Sequence, residues 1–297
     1  MRNSLSMWRS EFHRIRDEID LHCVTWGDHG RLTHRPIVLV HGLASNARLW
    51  DGVAIRLVEF GHPVIAVDQR GHGNSAKHDH GFDMATVAED LRLLIETVGF
   101  KEPVVVGQSW GANVVIELAH RSPDSVRGVV AVDGGTIHLR RHFPEWEQCA
   151  EQLAPPNLIG MKAARLEAFI RAAHPEWPEE GINGTLANME ILDDGTIRPW
   201  LSRDRHMKIL RGLWEHHPEE LFPSIDVPVL FMPAVSSDDT KHQGWAADKR
   251  EAVERAVAAL TRAKVSWYHD ADHDLHAQYP HRVAQELHDE IKSGLFS

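Results

Sequence analysis

Between residues 11 and 134 the chain repeats one pattern, a short apolar run followed by a stretch whose apolar residues recur at helical spacing. No other feature restricts the fold as much, because this alternation is what a parallel sheet covered by helices requires. Strands are expected at FHRIR, IDLHCVTW, PIVLVHG, PVIAVDQ, PVVVGQS and RGVVAVDGG. Residues 83–98 set Met84, Val87, Ala88, Leu91, Leu94, Ile95 and Val98 on one helical face, and Gly99 is placed to end that helix. From 136 to 222 strand-like runs vanish, and Pro144, Pro155, Pro156, Pro175, Pro178 and Pro199 punctuate short helical pieces. Residues 136–222 therefore read as a helical cap inserted into a core made of 1–135 and 223–297. The alternation resumes with VPVLFMPA as a strand, WAADKREAVERAVAAL as an amphipathic helix, KVSWYH as the last strand and a final helix from Pro280 to Leu295.

A chain of 297 residues with 42% hydrophobic content can build a sizeable core. Its net charge of −11 argues against a nucleic-acid surface or an anionic membrane as partner and favours a neutral or cationic small molecule. Only Cys23 and Cys149 are present, so neither a disulfide framework nor a cysteine-rich zinc site is expected, and a reducing cytoplasm is the default location. The stretch MRNSLSMWRSEFHRIRDEIDLH is interrupted by charges and lacks a signal-peptide core, and no run reaches the roughly 18 apolar residues of a membrane span. Oligomeric state is not fixed by the sequence, and a homodimer is left open.

Chemistry enters at VVVGQSWGAN, where Gly107 and Gly111 stand two residues either side of Ser109, at a strand-to-helix turn. This is the Gly-x-Ser-x-Gly pattern, whose glycines let strand and helix approach closely enough to project the serine oxygen. The bland alternative is a serine capping a helix. A serine hydroxyl is a poor nucleophile at neutral pH and needs a histidine to take its proton and a carboxylate to orient that histidine. His273, in DADHDLHAQYP after the last expected strand, lies where open parallel sheets gather catalytic groups. Its neighbour His276 reads as a packing or polar support residue.

The motifs VLVHGLASNARLW, VIAVDQRGHGNS, VVVGQSWGAN, VRGVVAVDGG and ADHDLHAQYP, in this order and each on a fitting element, resemble the α/β-hydrolase family. The resemblance covers nearly the whole chain, with the cap least specific. It implies an α/β-hydrolase fold, a mostly parallel twisted sheet with helices on both faces and an inserted cap, with Ser109 as nucleophile and His273 as base. It also implies an oxyanion hole formed by the backbone N–H groups of Leu43 and Trp110, with His41 and Gly42 just before that loop and counted to the substrate pocket. DQRGHGNS becomes a structural turn, and His72 receives no catalytic role.

The carboxylate has two candidates. In most of the family it follows the strand after the cap, where this chain has Ser237 at the expected position and Asp238 one residue later. Some relatives carry it after the strand before the cap, where Asp133 precedes two glycines able to turn the backbone sharply. Asp133 is favoured, with Asp238 as the alternative.

Among the cap tryptophans 146, 177, 200 and 214, Trp200 and Trp214 are assigned to an apolar substrate pocket, against the alternative of simple cap packing. The ring of Trp110 is expected to narrow one pocket wall. Histidines at 269–276 and 78–80 invite a metal, but neither segment has the spacing of a zinc hydrolase, so no metal and no cofactor is expected. Serine in the elbow, rather than aspartate, points to hydrolysis of carboxylic esters or lactones through an acyl-enzyme. The rivals are a carbon–carbon bond hydrolase, a perhydrolase or acyltransferase, and a slow-turnover small-molecule receptor.

Overall fold

The computed structural model describes residues 8–27, 30, 33–235 and 243–297, with the side chains of 243–246 left aside. The chain opens with β1 (Trp8–Arg16) and β2 (Ile19–Trp26), an antiparallel pair. It then alternates through β3 (Ile37–Val40), α1 (Asp51–Glu59), β4 (Val64–Val67), α2 (Met84–Val98), β5 (Val104–Gln108), α3 (Trp110–Arg121) and β6 (Gly128–Val132). After β6 come α4 (Leu139–His142), α5 (Trp146–Gln152), α6 (Ala163–Ala173), α7 (Glu179–Leu186), β7 (Met189–Ile191), β8 (Ile197–Pro199) and α8 (Arg203–Trp214). The chain continues with β9 (Val229–Met232), β10 (Ala234–Val235), α9 (Gln243–Ala259), β11 (Ala263–Val265), β12 (Tyr268–His269), α10 (Leu275–Gln278) and α11 (Pro280–Ser293).

Eight strands form one sheet in the order β1-β2-β4-β3-β5-β6-β9-β11, parallel from β4 onward. Every residue of β3, β4, β5, β6 and β9 is buried, as expected of strands covered on both faces. Side chains alternate between two cores. Val38, Val40, Ile65, Val67, Val105 and Val129 pack beneath α2 and α3, while Ile37, Leu39, Val64, Val104, Val106 and Val130 pack beneath α1 and α11. Local signals agree with this packing. Asp83 caps α2 by accepting from Thr86 N, and Gly99 closes the helix with φ 72°.

Two strand expectations need correction. VPVLFMPA splits into β9 and β10 because Pro233 has no N–H to continue the ladder. KVSWYH splits in step: β11 stops at Val265, Tyr268 N donates to Pro233 O at 2.9 Å, and β12 pairs with β10 in a separate two-stranded ribbon. The expectation that strands vanish between 136 and 222 also fails, since β7 and β8 form a hairpin there. Its turn is DDG, with Gly195 at φ 76° and Asp194 Oδ1 accepting from Thr196 N at 2.8 Å, a hairpin signal flanked by strands of only three residues.

The chain reaches β4 on one side of β3 and β5 on the other, so the sheet's switch point lies at the carboxyl ends of β3 and β5. A crevice forms at such a point because the loops leave in opposite directions.

Candidate active site

Ser109 sits between β5 and α3 with φ 54° and ψ −121°, a conformation that costs a non-glycine residue on the order of 1–3 kcal/mol. Its neighbours hold it there. Ser109 N donates to Val132 O at 2.9 Å, and its carbonyl accepts from Ala112 N at 3.0 Å. The flanking glycines are required by contact: a Cβ on Gly107 would lie 2.2 Å from Gly111 O, and one on Gly111 would lie 2.4 Å from His41 O. The serine makes no cap bond, so the capping alternative does not account for it.

Ser109 Oγ lies 2.9 Å from His273 Nε2, and His273 Nδ1 lies 2.6 Å from Asp133 Oδ2. The structure thus brings together one of the two candidate acids with the serine and histidine, while Asp238 lies outside the described residues. Asp133 turns the chain at its own φ of 40°, so the bend expected from the following glycines begins at the acid itself. Its Oδ1 accepts from Ala234 N at 2.9 Å and from Lys249 Nζ at 2.7 Å. Burial opposes ionisation of Asp133, but the hydrogen bond and charge of His273, with Lys249, hold its pKa below the usual aspartate value. For His273, crowding by protein atoms disfavours the imidazolium, yet the Asp133 hydrogen bond and charge outweigh it and raise the pKa. With 55% of the side chain open to solvent, the carboxylate's pull decides. Lys249 works the other way, lowering the imidazole's pKa.

The loop after β3 stands opposite the serine. Trp110 opens α3, so its N–H is among the donors that no helical carbonyl takes up, and it stands beside Ser109. Leu43 is half-buried on the facing loop, and a Cβ on Gly42 would lie 3.1 Å from Ser109 Cβ. His41 is a correction: it is wholly buried, donating from Nδ1 to Gly42 O at 2.7 Å and accepting at Nε2 from Gln69 N at 3.0 Å. Both ring nitrogens are engaged, so it fixes the loop's path instead of lining a pocket. His72 does related work, accepting from Ala44 N at 3.3 Å. Asp68, in the DQRGHGNS turn, accepts from Ala47 N and Asn74 N and pairs with His22. His276 is buried against Trp50 at a ring separation of 4.2 Å.

The tryptophan assignments also change. Trp214 is 6% exposed, donates to Phe143 O at 2.7 Å, lies under the Arg140 guanidinium and belongs to the core that packs beneath α2 and α3, so it is a packing residue. Trp200 is half-buried and borders a separate cavity of about 290 Å³ together with Trp8, His22 and Asn46. The Trp110 ring is wholly buried and stacked on His72, so this residue offers its backbone and not a pocket wall. A cavity of about 350 Å³ borders Asp133, Lys249 and His273, with Ile137, Leu139 and Phe231 in its wall, but Ser109 is not among its lining residues.

Three supporting residues escaped the sequence. Gln108 donates to His273 O at 3.2 Å, and Asn113 accepts from Gly135 N at 2.9 Å while donating to Ile137 O at 2.9 Å. Asn113 thereby clamps the chain just beyond Asp133. Lys249 lies on an amphipathic helix among other charged residues, and no local signal separates it from a solvated lysine.

A doubly covered, mostly parallel sheet with a Ser–His–Asp constellation at its switch point is the architecture of an α/β hydrolase. The family described as alpha/beta hydrolase fold matches residues 35–166. A non-heme haloperoxidase of Rhodococcus erythropolis is 35% identical over 274 residues, 89% of this chain and 93% of that protein. An esterase of Mycobacterium tuberculosis is 31% identical over 189 residues, 60% of each chain. The crystal structure of E-2-(acetamidomethylene)succinate hydrolase superposes with a TM-score of 0.77 at 24% identity, covering 97% of this chain and all of that one (100%). The chain belongs to the alpha/beta hydrolase family. No helix among the described residues is long and apolar enough to cross a membrane.

Proposed function

We propose that the protein hydrolyses carboxylic esters or lactones through an acyl-enzyme on Ser109. The observation that carries this reading is the continuous relay from Ser109 Oγ to His273 Nε2 at 2.9 Å and from His273 Nδ1 to Asp133 at 2.6 Å. Because the carboxylate only accepts, the neutral imidazole holds its proton on Nδ1 and turns a lone pair toward the serine hydroxyl. Ser109 Oγ attacks the substrate carbonyl as its proton passes to His273 Nε2, and Asp133 stabilises the resulting imidazolium. The backbone N–H groups of Trp110 and Leu43 receive the developing oxyanion, each such donor being worth roughly 3 kcal/mol in the transition state. Collapse expels the alkoxide, which takes the proton back from His273. Water, deprotonated by the same imidazole, then releases the acid and restores the serine. The esterase relative supports an ester substrate, and the net charge of −11 favours a neutral one over an anionic one.

A second reading draws on the 35% identity to a non-heme haloperoxidase. If hydrogen peroxide replaces water as the attacking group on the acyl-enzyme, the products are a peracid and free Ser109, and the peracid can oxidise a halide. One set of measurements addresses both. Wild type should turn over p-nitrophenyl acetate or butyrate, and Ser109→Ala should lose on the order of 10³-fold or more with its fold intact. Near wild-type activity in a folded Ser109→Ala protein, or inactivation by EDTA but not by a serine-directed phosphonate, would overturn the serine mechanism. Halide oxidation that needs acetate, peroxide and Ser109 would select the second reading.

A further inference from the structure

Three imidazoles from distant parts of the sequence meet at the amino-terminal edge of the strands, the end of the sheet opposite Ser109. His34 precedes β3, His62 lies between α1 and β4, and His288 is on α11. One ring nitrogen of each lies within 4.8 Å of the others. His62 Nε2 and His288 Nδ1 are 3.0 Å apart. A tetrahedral zinc ion with Zn–N of about 2.0–2.1 Å holds its ligand nitrogens about 3.3 Å from one another, so this pair is close to ligand spacing already. The ring centroids are 5.2, 6.0 and 5.3 Å apart and the ring pairs are inclined at 50°, 52° and 79°, so no two of the three rings stack.

The hydrogen bonds set the tautomers. His62 Nδ1 donates to Arg35 O at 2.8 Å, and His34 Nδ1 donates to Phe60 O at 2.6 Å. A carbonyl can only accept, so both rings carry their proton on Nδ1 and a lone pair on Nε2. An imidazole fixed by a backbone carbonyl on one nitrogen, with a lone pair on the other, is the form in which histidine binds metal. His288 needs only to move its proton from Nδ1 to Nε2 for its inward nitrogen to become a third ligand, with no net proton released. Asp289 and Lys292 flank His288 with opposite charges.

We propose that His34, His62 and His288 form a binding site for a borderline divalent transition-metal ion, of which Zn²⁺ fits best, with water in the fourth position. Imidazole ligands suit this class, and no carboxylate belongs to the set, which disfavours calcium or magnesium. The ion would tie α11 to the segments that enter β3 and β4. This site is remote from Ser109 and independent of the hydrolytic reading.

The test uses the full chain without added histidines, stripped with EDTA and dialysed, and titrated with ZnCl₂ by calorimetry in a non-coordinating buffer. Wild type should bind one equivalent with micromolar or tighter affinity and show a higher melting temperature with zinc. His288→Gln and His34→Gln should each weaken binding by about tenfold or more and remove the thermal shift, with circular dichroism unchanged. Glu176→Gln should change neither, because Glu176 belongs to the other metal-capable cluster, with His174 and Asp272. Absence of saturable binding below ~1 mM, unchanged affinity in His288→Gln, or loss of affinity in Glu176→Gln would overturn the proposal.

Discussion

Replacing Asp133 by Asn tests the relay at its most determined point, because the surrounding donors dictate which way the amide turns. Two donors aim at Oδ1, Ala234 N at 2.9 Å and Lys249 Nζ at 2.7 Å, whereas among the described residues Oδ2 faces only His273 Nδ1. The amide oxygen must therefore occupy the Oδ1 position, since an NH₂ group there would confront a backbone N–H and an ammonium. Its NH₂ group then falls opposite His273 Nδ1, which must give up its proton to accept. The imidazole proton moves to Nε2, the atom that has to receive the proton of Ser109, and the charge that stabilised the imidazolium is gone. A loss of about 10⁴ in kcat, the scale of this change in a serine protease triad, corresponds to about 5.4 kcal/mol at 1.36 kcal/mol per decade. Steady-state hydrolysis of a p-nitrophenyl ester gives the number, and thermal melting checks the fold. Asp238→Asn should lose less than about tenfold, the scale of one pKa unit and not of a relay member. A folded Asp133→Asn enzyme within about tenfold of wild type would refute the argument, and the reverse ranking would pass the role to Asp238.

Lys249→Met removes the cation that lowers the His273 pKa, so that pKa should rise and the acid limb of the kcat/KM profile should move to higher pH. The imidazole must be neutral to act as base, which fixes the sign, and an unmoved limb would show that Lys249 does not reach His273 electrostatically. Trp214→Ala should cost about 3–5 kcal/mol in urea denaturation, the range for a buried tryptophan, while leaving the ratio of kcat/KM between short and long acyl esters within about twofold. A tenfold change in that ratio without loss of stability would return Trp214 to the substrate pocket.

What could be read from the sequence was what contiguous residues encode. The valine-rich strands announce themselves because both faces are buried, α2 because Asp83 and Gly99 mark its ends, and the elbow because two glycines are forced by backbone contact. Asp133 is favoured over Asp238 by the glycines after it and by Ser237 standing where the acid usually does, yet the bend falls on Asp133 itself. Lys249 and Asn113 could not be found, since each acts through a partner more than twenty residues away whose position depends on the assembled sheet. The three clustered histidines are hidden for the same reason, as metal motifs are recognised by short spacing and these span three segments. Size misled the reading of the tryptophans: a large ring is as useful for filling a cap as for lining a pocket, and composition does not distinguish the two.

Asp133 stands only six residues before Leu139, where α4 begins, and Asn113 grips the backbone between them. The acid is thus the member of the relay nearest in the chain to α4, while Ser109 is anchored at the turn between β5 and α3. A rotation of α4 would be transmitted first to the aim of the carboxylate, and only through it to the imidazole. Insertions or deletions just after residue 135 should accordingly disturb the carboxylate's aim first and, through the Asn113 clamp, the start of α3 that carries Ser109.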